Sequence, residues 1–139
     1  MNAASHELAA AVAESLARER ALARTYRQQM DAAWSPRVRR LWEEGWMIKR
    51  GHDDALVRVL ANHAAALSSE TTQPSLSAPS PREVLSWLYD QERLLVQRYR
   101  EYARRAIDAD AERLFNRLAD EQGRLIERVR DTYRDYSAS

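Results

Sequence analysis

The chain has 139 residues, 45% of them hydrophobic, with 22 basic residues against 21 acidic ones and no cysteine. That length makes one domain and buries a core without staples, and the absence of thiols excludes disulfides, thiolate metal sites and cysteine chemistry. Interspersed, nearly balanced charge argues against a nucleic-acid binder, no apolar run reaches the ~18 residues of a membrane span, and residues 1–11 lack the pattern of a signal peptide, so a cytoplasmic protein without nucleic-acid or membrane partners is expected.

Glycine and proline are scarce, at 3 and 4 residues, while strong helix formers (alanine, leucine, arginine, glutamate) dominate. Period and punctuation predict four helices. The first runs from about His6 to Ala32, with Ser5 as its N-cap and a stripe of Leu8, Val12, Leu16, Leu22, Tyr26 and Met30. Ser35-Pro36 ends it and opens the next, serine as cap and proline at the first helical position. Helix two, about Pro36 to Leu67, carries Val38, Leu41, Trp42, Gly45, Ile48, His52, Leu56, Val59, Leu60 and Leu67. Residues 68–80, SSETTQPSLSAPS, are polar, non-periodic and form the one long loop. Ser80-Pro81-Arg82-Glu83 is a capping box before helix three, about Pro81 to Ala106, with Leu85, Leu88, Tyr89, Leu95, Val96, Tyr99 and Ala103 on its stripe. Asp108 caps helix four, about Ala109 to Tyr136, whose stripe is Ala111, Leu114, Phe115, Leu118, Leu125, Val129 and Tyr133.

The short links within each pair imply antiparallel hairpins, about residues 6–67 and 81–136. The loop between them is long for a compact domain. Extended, its thirteen residues reach roughly 40 Å, the length of a helix of about 26 residues. One crossover between two hairpins is therefore expected, giving an all-α four-helix bundle as a single domain over residues 1–139.

Aligning the chain with itself at an offset of 73 residues matches Glu19-Arg20-Ala21-Leu22 to Glu92-Arg93-Leu94-Leu95, Tyr26-Arg27 to Tyr99-Arg100, Ala33 to Ala106 and Arg40-Leu41-Trp42 to Arg113-Leu114-Phe115. The non-arginine matches fall on the stripes, so an internal repeat is expected. Glu19 and Glu92 stand at equivalent places inside apolar stripes. Glutamate is rarely buried without a partner, so the pair either points inward at partners or lies on stripe edges and reaches solvent.

The pattern Glu-x6-Tyr, then Leu-aromatic-x6-(Glu)-x2-(His), resembles the helical hairpin of rubrerythrins and other ferritin-like proteins. The stretch Leu114-Phe115-Asn116-Arg117-Leu118-Ala119-Asp120-Glu121-Gln122 is the most family-like, and the resemblance runs from about Leu8 to Tyr133. It implies a ferritin-like bundle in which two iron or manganese ions sit between one Glu from each of two helices and a Glu-x-x-His from each of the other two. Carried over, Glu19 and Glu92 match the single glutamates; the Glu-x-x-His positions hold Lys49 and His52 in helix two, and Gln122 and Leu125 in helix four. The exchanges make the site about three charges more positive. A protonated lysine offers a metal no lone pair, so the di-metal centre is expected to be degenerate. Lys49, the chain's only lysine, is expected to pair with Glu19 and Glu92, with His52 and Gln122 supplying further hydrogen bonds. A metal on Glu19, His52 and Glu92 is the alternative, with Asp53 or Glu121 adding an oxygen if the helices rotate.

Tyr26 and Tyr99 read as core residues hydrogen-bonded to the glutamates, and His6 and His63 as surface or helix-end residues. Trp34, Trp46 and Trp87 lie off the strongest stripes and mark either an interface or partly covered helix ends. The arginine-rich faces read as solvated, with i,i+4 pairs. These readings lead to a non-catalytic structural or protein-interaction module without a cofactor, whose partner is a second copy or another protein. The alternative is a metal-binding oxidoreductase or iron-handling protein using iron, manganese or zinc; a DNA-protecting relative is disfavoured by the neutral charge.

Overall fold

The structure, a computed structural model, describes residues 3–31, 35–62, 80–106 and 108–138. Four helices follow in order: α1 (Ala3–Met30), α2 (Pro36–Asn62), α3 (Pro81–Arg104) and α4 (Ala109–Ala138). The chain divides into two compact units, Met1–Gln73 and Pro74–Ser139, and each is described by itself. The expected long loop, apart from Ser80, lies outside the described residues, as do Trp34, His63 and Leu67.

The punctuation works as its chemistry dictates at three of the four helix starts. Ser35 Oγ accepts from the Val38 N–H at 3.4 Å, ahead of Pro36. Ser80 has extended backbone (φ −74°, ψ 161°) and accepts from the Glu83 N–H, while Glu83 accepts from the Ser80 N–H in return. Asp108 Oδ1 accepts from the Ala111 N–H at 2.7 Å. The exception is Ser5. α1 already begins at Ala3, so Ser5 lies inside the helix, because the alanine-rich start propagates helix past a residue that would cap it elsewhere. At the far end of α3, Arg105 (φ −96°, ψ 0°) turns its N–H to the Glu101 and Ala103 carbonyls, ending the helix two residues before Ala106.

α1 packs on α2, and α3 on α4. In the first unit Glu19 meets His52, Arg20 meets Asp53 and Tyr26 meets Trp42. In the second, Arg82 meets Tyr133, Glu92 meets Gln122 and Tyr99 meets Phe115. One partner's number falls as the other's rises, so both pairs are antiparallel hairpins. The stripes form the core: Val12, Leu16, Leu41, Trp42, Leu56, Leu85, Leu88, Leu95, Phe115, Leu118, Leu125 and Val129 are all buried. Periodicity alone misses Val84 and Ala119, which widen the stripes, and Ser15 and Thr132, whose hydroxyls satisfy themselves on the Ala11 and Arg128 carbonyls one turn back.

One close approach sets the packing of the first hairpin. The Tyr26 ring lies flat against the α2 backbone at Gly45, where a Cβ would stand 2.6 Å from Cδ1 and 2.7 Å from Cζ. Glycine is needed there for room, not for backbone freedom. At the position 73 residues on, the second hairpin has Leu118, so Tyr99 packs without such a notch.

Candidate functional site

Glu19 sits three residues after Leu16 and three before Leu22, and so faces the interior with them. Lys49 and His52 are one turn apart on the inner face of α2, between Gly45 and Leu56. Glu19 and Lys49 are fully buried and His52 is 2% exposed. The stripe-edge reading of Glu19 and Glu92 is thereby replaced: both carboxylates are at 0% exposure. A buried carboxylate requires charge compensation and donors, and the first hairpin supplies both. Lys49 Nζ stands 3.4 Å from Glu19 Oε1. His52 Nδ1 stands 3.2 Å from Glu19 Oε2. An ionised carboxylate only accepts, so beside it His52 is the Nδ1–H tautomer. Each oxygen of Glu19 thus meets a different donor, one cationic and one aromatic.

The second hairpin solves the same problem without a cation. The Gln122 amide Nε2 donates to Glu92 Oε1, both side chains fully buried, and Leu125 closes the next turn of α4 as a purely apolar residue. Positions 73 apart make matching pairs: Glu19 with Lys49 and Glu92 with Gln122, Tyr26 with Trp42 at 5.9 Å and Tyr99 with Phe115 at 6.0 Å.

The spare carboxylates that might have completed a metal site are engaged elsewhere. Asp53 receives both Nε (2.6 Å) and Nη2 (3.3 Å) of Arg20, a two-point pair that holds the Arg20 guanidinium above its ordinary pKa, chiefly through the hydrogen bond to Asp53. Glu121 lies 3.6 Å from Arg117 on the outer side of α4. Sequence reasoning passed over both arginines, since i,i+4 spacing offers one and only the tertiary fold offers the other. Among the described residues, no group of three or more His, Asp or Glu side chains gathers where it could hold a metal ion.

No family model and no curated protein matches the sequence. A solved structure does match: a crystal structure described as ferritin like, diiron-carboxylate proteins from Bacillus anthracis str. Ames, with a TM-score of 0.81 over 96% of this chain and 99% of that one. The fold is ferritin-like. At 16% identity the likeness concerns the fold, and the iron named for that protein is tested here against the donors this chain presents.

The donors do not fit. Two hard dications need several carboxylate oxygens and imidazole nitrogens. The first hairpin of this ferritin-like chain offers one carboxylate and one imidazole with an ammonium against them, and the second offers one carboxylate, one amide and a leucine. No reaction step is drawn through iron.

The remaining aromatic and basic residues have structural partners. Tyr26 and Tyr99 are core residues, as expected, packed on Trp42 and Phe115. Trp46 is half-buried, with the Arg50 and Arg27 guanidinium carbons 4.9 and 5.9 Å from its ring centre, and Trp87 is likewise half-buried. His6 is exposed. Arginine faces pair as the spacing predicts, Arg18 with Glu14, Arg27 with Asp31 and Arg39 with Glu43. No helix among the described residues is long and apolar enough to cross a membrane.

Proposed function

We propose that this ferritin-like domain has exchanged di-metal chemistry for an internal ion pair and serves as a non-catalytic structural or protein-interaction module. One observation carries the reading: a fully buried ammonium, Lys49, lies 3.4 Å from the buried Glu19 carboxylate, at the place where the family resemblance puts a carboxylate ligand. The matching pairs 73 residues apart support a duplicated hairpin, of which the amide–carboxylate pair in the second half is the neutral counterpart.

The test is elemental analysis of untagged protein purified without chelators from cells grown with added iron, manganese and zinc. Metal well below one ion per chain is expected. A stoichiometric ion would overturn the reading in favour of a metal-binding oxidoreductase or iron-handling protein.

The partner proposed is a second copy of the chain, in a cytoplasmic setting. Trp87 and Leu94 lie seven residues apart on one face of α3, the first half-buried and the second 46% exposed, and exposed aromatic and aliphatic side chains suit an interface. Light scattering behind size exclusion would show a dimer; a monomer at all concentrations removes this part.

A further inference from the structure

We infer that the first hairpin is a cation site whose cation is tethered to the chain, and that exchanging Lys49 for a carboxylate opens it to a single divalent transition metal, a capacity the second hairpin lacks. The inference rests on the proposed function, since a wild-type chain that already held a metal would leave nothing to open.

Glu19 Oε2 and His52 Nδ1 are 3.2 Å apart. Two ligands of one ion, each bonded at about 2.1 Å, stand roughly 3.0 to 3.4 Å apart for right-angled to tetrahedral geometry. The separation that serves a hydrogen bond therefore also serves an edge of a coordination polyhedron, without moving either helix. The third corner is position 49, whose side-chain end already lies 3.4 Å from Glu19 Oε1. All three residues are buried, at 2% exposure or less, so their rotamers are held by packing rather than left to solvent.

A Lys49→Glu exchange replaces an ammonium by a second carboxylate in this setting. Two carboxylates at contact distance repel in a low-dielectric interior, and a dication between them removes the repulsion. His52 then gives its Nδ1 lone pair to the metal, its single ring proton moving to Nε2. Two oxygen-donor residues and one imidazole suit Zn²⁺, Co²⁺ or Mn²⁺. In the second hairpin the analogous Gln122→Glu gives two carboxylates with Leu125 where an imidazole is needed, so it gains the repulsion without the third donor.

The experiment titrates Co²⁺ into the untagged full-length chain and its Lys49→Glu, Lys49→Gln and Gln122→Glu variants, following visible d–d absorption and thermal unfolding. The expected result is one Co²⁺ per chain for K49E alone. Its folding equilibrium should shift roughly 100-fold toward the native state at a metal concentration about 100 times Kd, with no cobalt spectrum for wild type, K49Q or Q122E. If K49E is unfolded without metal, cobalt should refold it, because metal binding then supplies folding free energy; failure of that rescue overturns the inference. A folded K49E that takes up no cobalt, or equal uptake by Q122E, also overturns it while the proposed function stands. Uptake by wild type strikes the proposed function instead.

Discussion

Removing the Lys49 charge is the most direct perturbation of this protein. In Lys49→Met the stem keeps its packing and the ammonium is lost, leaving Glu19 with the His52 N–H at 3.2 Å on one oxygen and no cation at the other. Unit charges 3.4 Å apart attract by about 5 kcal/mol at an effective dielectric of about 20. Desolvation of both groups offsets part of that, and breaking one side of a buried pair costs about 3–5 kcal/mol. The retained imidazole donor puts the expectation near the lower end, about 3 kcal/mol. Unfolding entropy near 2.1 cal/mol/K per residue amounts to about 0.3 kcal/mol/K for this length, so the melting temperature should fall by about 10 °C. Urea unfolding of wild type, K49M, Glu19→Gln and the double variant gives the coupling directly, and the double variant should lose clearly less than the two single losses combined, since no uncompensated charge remains. A K49M loss below about 1 kcal/mol, or strict additivity in the cycle, would refute the claim that Lys49 neutralises a buried carboxylate.

The glycines should respond with opposite signs. Gly45→Ala drives a methyl into the buried Tyr26 ring and should cost about 1–3 kcal/mol. Gly51→Ala and Gly123→Ala meet nothing within 4 Å and should gain up to about 1 kcal/mol of helix propensity; thermal melts of the three separate the cases. Ser80→Ala removes the reciprocal cap of α3 and should cost about 1 kcal/mol, while Ser5→Ala, inside α1, should be close to neutral in the same urea assay. Arg20→Met should cost under about 1 kcal/mol, because the Asp53 pair is partly exposed, at 45% and 28%, and the loss should shrink in 1 M salt, where the screening length is about 3 Å. A loss unchanged by salt would show that the pair acts through packing.

Helix number, order and most boundaries were legible because they rest on local chemistry. Ser35-Pro36, Ser80-Pro81 and Asp108 cap their own helices, and a stripe of period 3.6 needs only a neighbour of any kind to bury it. Glu19, Lys49, His52, Glu92 and Gln122 were also found from spacing, since charged and amide groups set among apolar residues on one helical face have nowhere to go but inward. Ser5 misled because capping depends on where the helix starts, and an alanine-rich segment lets it start earlier.

The chain order of residues thus determined four helices, their inner faces and the mismatch between those faces and a pair of metal ions, all consequences of backbone periodicity and side-chain chemistry. Tertiary structure alone decided which oxygen of Glu19 faces the ammonium and which the imidazole, that Arg20 holds Asp53, and that Tyr26 needs Gly45. Those are distances between atoms about thirty residues apart in hairpin one, and no local pattern carries them: they arise when one helix settles against another at a depth set by what lies between.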